Sequence, residues 1–288
     1  MDIWYWRYEL VPRRRLSAIA ADAARQGALI RVGDGFADVH PWPELGDATV
    51  SRQLELLRRG ETSALTRRSL ALAALDGDAR RCARSLFEGF TIPPSHWPLA
   101  GGDIPSAFDT VKVKMSPGSR LGASLARYRL RLDFNATLDA GAFLSFMESL
   151  SPEIRSAIDF VEDPCPYDPQ VWSGLRERAG VRLALDRGDA SAGVDVLVVK
   201  PAVQDLPRSE KEIVITSYMD HPLGQLGAAY VAAANGITAT CGLATHVLYK
   251  SDAFMERMKL DGTRLLPPAG TGFGFDDLLE SLPWKRLG

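Results

Sequence analysis

Five short apolar runs in this 288-residue chain end in charged residues, and that pattern restricts the fold more than any other feature of the sequence. They are TVKVKM, with Lys112 and Lys114; RLRLDFN, with Asp133 and Asn135; IDFVEDP, with Glu162; VRLALD, with Asp186; and VLVVKP, with Lys200. Continuous Val, Ile and Leu runs of this length read as strands buried on both faces, the kind found in parallel sheets. Such strands have little reason to end in charge unless their ends share one site.

The first ninety residues have a different texture. Residues 3 to 10 alternate like a half-buried strand, and ALIRVGDGFADVHPWPE holds two more strand-like runs joined through Gly33, Asp34 and Gly35. A three-stranded antiparallel meander is expected. Helical periodicity follows in VSRQLELLRRG and in SALTRRSLALAALDGDARRCARSLFEG. Residues 1–90 therefore read as a small α+β domain.

From about Thr91 the pattern becomes strand, connection, strand. Strands are expected at VKVKM, YRLRLDF, AIDFVED, VRLALD, DVLVVKP and EIVITSYM, with a last one near ITATCGLATHVL. Helices are expected in LDAGAFLSFMESLSPEIRSA, PQVWSGLRERAG and PLGQLGAAYVAAANG. This order argues for a parallel barrel over residues 91–261, an α/β architecture. The connection between Asp186 and Lys200 is only thirteen residues long and glycine-rich, too thin for a packed crossover helix. Some outer helices should accordingly be short or missing. The tail, about 262–288, is expected to pack back on the N-terminal domain, with Gly270, Gly272 and Gly274 as a glycine loop that follows no buried strand.

Composition excludes several function classes. The apolar fraction of 46%, a net charge of -2 and a pI near 6.1 give no general attraction to nucleic acid or anionic membrane. Cys82, Cys165 and Cys241 form no metal-binding or disulfide pattern, which fits a reducing cytoplasm. The longest apolar stretches fall short of the roughly 20 residues that span a bilayer.

The strand ends carry the chemistry. Residues two apart on a strand share a face, so Lys112 and Lys114 point the same way, and a neighbouring cation can draw such a lysine towards the neutral form of a base. Asp133, Glu162 and Asp186 offer three hard oxygen donors from successive strands, a set suited to Mg²⁺, whereas the four histidines show no spacing of a catalytic couple. Metal-assisted proton transfer at the C-terminal mouth of a barrel is the reading that follows. Arg131 shares the face of Asp133, and three roles are open to it: pairing with a ligand carboxylate, gripping an anionic substrate, or ion pairing inside the barrel.

In order, K-V-K, R-L-D-F-N, F-V-E-D-P-C, L-D and V-V-K-P resemble the enolase superfamily in its muconate-cycloisomerase-like branch. Within that branch, R-L-D-x-N, E-D-P-C at Glu162 to Cys165, and ITSYMDHPLGQLGAAYVA most resemble the o-succinylbenzoate synthase family. The resemblance implies an N-terminal α+β capping domain plus a modified (β/α)7β TIM-type barrel. It implies Mg²⁺, or Mn²⁺ in its place, on Asp133, Glu162 and Asp186. It also implies Lys114 as acid/base with Lys112 beside it, Lys200 across the pocket, Thr216 and Ser217 lining it, and Asn135 and Arg131 in support. The implied substrate is a small carboxylate, and the implied reaction is dehydration of 2-succinyl-6-hydroxy-2,4-cyclohexadiene-1-carboxylate to o-succinylbenzoate on the route to menaquinone or phylloquinone. Asp186-Arg187 departs from the Asp-Glu of many relatives at this strand end.

Two other readings remain open. Lys114 and Lys200 on opposite sides would equally serve an N-acylamino acid racemase, whereas LATHVL lacks the Asp-x-Asp pair of an epimerase. A non-catalytic binding barrel would have to bury all these charges without a task, which is costly. The segment VPRRRLSA, residues 11 to 18, is the expected closing loop.

Overall fold

The structure is a computed structural model that describes residues 2–14, 16, 23–99, 103–186, 188 and 192–288. Strands β1 (Ile3–Leu10), β2 (Arg25–Val32) and β3 (Gly35–Val39) form an antiparallel meander, turned at Gly33 with φ +60°, a backbone conformation easy only for glycine. One face of this sheet, through Ile3, Ala28, Ile30, Ala37 and Val39, packs on helices α1 (Val50–Arg58) and α2 (Ala64–Arg81). Tyr8, Leu10, Leu29 and Phe36 instead join the large core shared with the rest of the chain. At Gly35 the strand meets the backbone of α2 so closely that a Cβ would lie 1.8 Å from the Ala73 carbonyl oxygen.

The second sheet has seven strands, all parallel and in chain order: β4 (Trp97–Leu99), β5 (Thr110–Lys114), β6 (Arg129–Asp133), β7 (Ile158–Glu162), β8 (Leu183–Asp186), β9 (Val196–Val199) and β10 (Glu212–Ile215). Its two edges are joined by a single short segment, because Cys241 bridges Ser95 just before β4 while Gly242 bridges Thr216 just after β10. The backbone bonds are Cys241 N–H to the Pro94 oxygen at 2.7 Å and Gly242 N–H to the Ile215 oxygen at 2.8 Å. The sheet thereby closes into a barrel with a very short eighth stave.

Among the described residues the helical coat is partial, as the thin connections lead one to expect. Helices α3 (Ala140–Ser149) and α4 (Pro152–Ala157) connect β6 to β7, α5 (Pro169–Ala179) connects β7 to β8, and α6 (Pro222–Ala234) follows β10. The alternation along each strand sorts the side chains. Leu130, Leu132, Val161, Leu183, Leu185, Leu197, Val199 and Ile215 belong to the main core, while Phe160, Ala184, Val196, Val198 and Val214 form a separate cluster, the filling of the barrel.

Four local expectations change. The helix expected over LDAGAFLSFMESLSPEIRSA is broken at Leu150, where Ser151 caps a new helix with Pro152 in its first turn, since proline cannot donate within a continuing helix. Near ITATCGLATHVL only Cys241 and Gly242 pair, and Thr245–Leu248 is a 3-10 turn. Strand β4, only three residues long with Pro98 at its centre, is too short for a periodic signal and was not anticipated. Helix α2 stops at Arg81 because Leu86 donates to the Gly272 oxygen and Ser85 pairs with Gly272, a contact with the tail that local periodicity does not encode.

In the tail, β11 (Lys259–Asp261) and β12 (Arg264–Leu266) form a hairpin, followed by α7 (Asp276–Ser281). Strand β13 (Lys285–Arg286) then pairs antiparallel with β1.

Candidate active site

Register explains why the charged residues meet. Lys114, Asp133 and Glu162 are direct neighbours across β5, β6 and β7. On β8 the neighbour of Glu162 is Ala184, so Asp186 stands two residues further along; Asp186 in turn neighbours Val198, two short of Lys200. Each step of two keeps the side chain on the inner face and follows the stagger of tilted barrel strands, so all five arrive at one mouth.

At that mouth the carboxylates are turned onto lysines. Lys112 Nζ lies 2.6 Å from Glu162 Oε2 and 2.8 Å from Asp133 Oδ2. Lys114 also bonds Asp133, and Lys200 bonds Asp186. Asn135 donates to Asp133 Oδ1 from its backbone N–H at 3.1 Å and from Nδ2 at 2.9 Å. It does so with φ +50°, and Ala136 and Asp163 are likewise left-handed at +56° and +44°. Left-handed non-glycine residues cost energy unless their surroundings hold them, and here the Ala136 N–H is bonded to the Asp163 oxygen at 2.7 Å, tying the two strand-end loops together.

The charges divide unevenly. Burial raises the Asp133 carboxyl, but Lys112 and Lys114 outweigh it and hold the group well below the usual carboxylate range. Glu162 is pushed up to about 7 by burial and by the Asp133 charge, which Lys112 only partly offsets. Lys112 itself is opposed by burial, yet Asp133 and Glu162 keep its ammonium charged, so the drift to neutrality expected from two adjacent lysines does not occur there. Asp163 was not singled out from sequence. Burial and the charges of Asp186, Glu162 and Asp133 raise its carboxyl well above the normal range, and its Oδ1 accepts the Asp186 N–H at 3.1 Å. Among the described residues no three His, Cys, Asp or Glu side chains converge closely enough to hold a metal as they are placed.

Arg131 lies one layer deeper. Its Nε donates to Asp159 Oδ2 at 2.9 Å, its Nη1 donates to the Thr240 oxygen at 2.6 Å and lies 3.1 Å from His96 Nδ1, and its guanidinium covers the Phe160 ring at 4.6 Å. Asp159 reaches this position because the register between β6 and β7 slips there: Leu130 opposes Ile158 but Arg131 opposes Phe160, leaving Asp159 as the extra residue of a bulge. Of the roles open to Arg131, the geometry favours ion pairing inside the barrel.

Above the lysines is a pocket of about 640 Å³, counting its open mouth and the solvent in it. Lys112, Lys114 and Lys200 form its basic floor; Thr216, Ser217, Thr245 and His96 add polar groups; Leu16, Leu99, Met219 and Leu248 make an apolar wall. Ser217 is bonded to Thr245 at 2.5 Å, whereas Thr216 Oγ1 is buried without a partner among the described residues. Gly242 and Thr245 were missed in the sequence because they come from short or irregular segments with no periodic signal; His96, near an expected strand end, was open to either lining the mouth or packing, and Leu16 belongs to the expected closing loop.

Pro12 and Arg13, from the expected closing loop, dock beside the pocket at Leu248 and Tyr249. Pro12 bridges Tyr249, and Arg13 donates from its backbone to the Leu248 oxygen at 2.8 Å and from Nε to the Tyr249 oxygen at 2.7 Å. Arg15, Ser17 and Ala18 of that segment, and Arg187 after β8, lie outside the described residues.

Comparison with known proteins is consistent along the chain. Residues 3–79 match the family model described as O-succinylbenzoate synthase, N-terminal domain. An o-succinylbenzoate synthase from Bdellovibrio bacteriovorus is 35% identical over 100% of this chain and 99% of its own length. One from Pectobacterium atrosepticum is 24% identical over 69% of this chain and 76% of its own. Among solved structures, the dipeptide epimerase from Enterococcus faecalis V583, complexed with Mg and the dipeptide L-Leu-L-Tyr, superposes with a TM-score of 0.74 at 14% identity, covering 95% of this chain and 98% of that one. The muconate lactonizing enzyme from Pseudomonas fluorescens, complexed with muconolactone, gives 0.74 at 15% identity over 94% and 95%. These two share their fold with the present chain.

Proposed function

The chain belongs to the o-succinylbenzoate synthase family, a family of carbon–oxygen lyases, and from that premise we propose how its own residues carry out the reaction. The substrate is 2-succinyl-6-hydroxy-2,4-cyclohexadiene-1-carboxylate, the product o-succinylbenzoate, and the pathway that of menaquinone or phylloquinone. The observation that carries the reading is the joint arrival of Lys112, Lys114, Lys200 and three carboxylates at one barrel mouth beneath a pocket with an apolar wall.

Lys114, turned from Asp133 towards the substrate, takes the proton on the carbon next to the ring carboxylate. Negative charge then spreads onto the carboxylate oxygens, where the Lys200 ammonium, only 9% exposed and so little screened, stabilises it. The proton held on Lys114 passes to the departing hydroxyl, which leaves as water while the ring becomes aromatic. Lys112 stays charged throughout and keeps Asp133 and Glu162 in place. The wall of Leu16, Leu99, Met219 and Leu248 suits the carbon ring and keeps water from it.

Asp133, Glu162 and Asp186 would hold a divalent ion, Mg²⁺ or Mn²⁺. Their hard oxygens fit it, and the upward push on Glu162 to about 7 marks a carboxylate cluster in which cationic charge falls short. When bound, the ion supplies positive charge to the substrate carboxylate and so acidifies the neighbouring C–H bond.

The test is turnover of the diene acid with Mg²⁺, followed as loss of its absorbance, in wild type and Lys114→Ala. Turnover should stop with EDTA, return with Mg²⁺ or Mn²⁺, and fall by about 10³-fold or more in the variant. A folded, Mg²⁺-loaded wild type without turnover would remove the dehydratase reading. A variant within tenfold of wild type would remove Lys114 as the base.

A further inference from the structure

We propose that His96 is a substrate-contact residue, presenting a neutral Nε2–H to an acceptor oxygen of the bound carboxylate substrate, with its tautomer set from behind by Arg131. The proposal rests on the dehydratase reading only for the identity of that substrate.

Placement comes first. Pro98 is the direct neighbour of Lys112 across β4 and β5, so Pro98 and the residue two before it, His96, share the inner face with the lysines. His96 and Lys112, Lys114 and Thr216 line the same pocket. The residue is only 3% exposed, so whatever its ring meets there is met without competition from bulk water.

The tautomer follows from donor chemistry. A guanidinium has five N–H donors and no acceptor, so Arg131 Nη1 at 3.1 Å from His96 Nδ1 requires a lone pair on Nδ1. The ring proton must then be on Nε2. Arg131 cannot turn away, because the Asp159 carboxylate, the Thr240 oxygen and the Phe160 ring hold it on three sides. Burial and the nearby Arg131 and Lys112 charges also keep the imidazole uncharged, in agreement with this geometry.

The other edge of the ring is open. Among the described residues His96 Nε2 makes no hydrogen bond, and the neighbouring residue on the closing stave is Gly242. A Cβ built there would lie 2.9 Å from His96 Nε2 and 2.7 Å from Thr216 Cγ2. Any side chain at this position would crowd the Nε2 edge of the ring, so glycine keeps that edge uncovered towards the pocket. An N–H donor beside a lysine floor matches a carboxylate oxygen.

Three variants separate this role from a structural one. Gln places its amide nitrogen where Nε2 stood, whereas Asn mimics only the Nδ1 position that faces Arg131. We expect His96→Leu and His96→Asn to lower kcat/KM by about 10- to 100-fold, and His96→Gln to stay within about fivefold of wild type. Restoration by Asn and not by Gln, or no loss in any of the three, would overturn the proposal. Nitrogen NMR on histidine-labelled wild type gives a second reading that needs no variant to fold. The expected state is a neutral Nε2–H imidazole whose Nε2 resonance moves when o-succinylbenzoate is added with Mg²⁺. A protonated Nδ1, or an unmoved resonance in a protein that does turn the diene acid over, would also overturn it. Absence of turnover with a His96 still in the Nε2–H form would instead count against the dehydratase reading.

Discussion

Replacing Arg131 with methionine should destabilise the barrel by about 3 kcal/mol, the lower end of the cost of breaking a buried ion pair. The placement sets this figure. Arg131 and Asp159 are both almost fully buried and joined at 2.9 Å, so removing the guanidinium strips Asp159 of its one buried partner. Asp159 keeps Arg129 at 2.6 Å and Arg182 at 3.2 Å, but both are partly exposed and screened, which holds the loss near the lower end. The Thr240 oxygen also loses a donor at 2.6 Å, a further cost of about 1 kcal/mol, while methionine recovers part of the packing against Phe160. For a chain of this length such a loss lowers Tm by about 6 °C. Urea denaturation at neutral pH should show a lower midpoint with an unchanged slope. In Arg131→Met combined with Asp159→Asn, the losses should add to less than their sum, because each single change has already broken the same pair. A loss under 1 kcal/mol for Arg131→Met, or strict additivity, would refute the view that this pair staples β6 to the bulge of β7.

Two further outcomes follow from the cap. Asp220 and Asp38 lie buried together with Tyr8, His40, His221, Tyr249 and Arg25 nearby; burial raises the Asp220 carboxyl to about 7, and burial with the Asp220 charge raises Asp38 as well. A raised carboxyl binds its proton more tightly in the folded state, so wild-type stability falls as pH rises from about 4 to about 7, and Asp220→Asn should gain on wild type over that window and then level off. Melting temperatures of the two proteins running parallel at pH 4.5, 6 and 8 would contradict this. Gly35→Ala should cost about 3 kcal/mol or prevent cap assembly, since its methyl would meet the Ala73 oxygen at 1.8 Å and the Gly77 nitrogen at 2.7 Å, both backbone atoms that cannot step aside. Wild-type denaturation behaviour in that variant would refute so close an approach.

Much of this protein was legible before any coordinates. The apolar runs ending at Lys114, Asp133, Glu162, Asp186 and Lys200 announce buried parallel strands, because only strands covered on both faces dispense with alternation. The thin Asp186 to Lys200 connection predicts an incomplete helical coat for the equally local reason that a helix needs residues. Other features could not be read in this way. The closing stave is two residues long, and β4 has a proline at its centre, so neither carries a periodic signal; both exist because the edges of the curled sheet need a partner. The end of α2 at Arg81 is decided by Gly272, almost two hundred residues away.

The same division runs through the site. Sequence alone determined which strand ends carry ammonium and carboxylate groups and which residues share a face, since that depends only on the two-residue repeat of a strand. Tertiary structure decided which charges pair. Lys112 takes Asp133 and Glu162 and stays charged rather than drifting to neutrality, and Arg131 turns to a bulged Asp159 and to His96 rather than to the mouth. The physical reason is that a buried charge is governed by its nearest neighbours in space at low dielectric, and in a closed barrel those neighbours come from strands far apart in the chain.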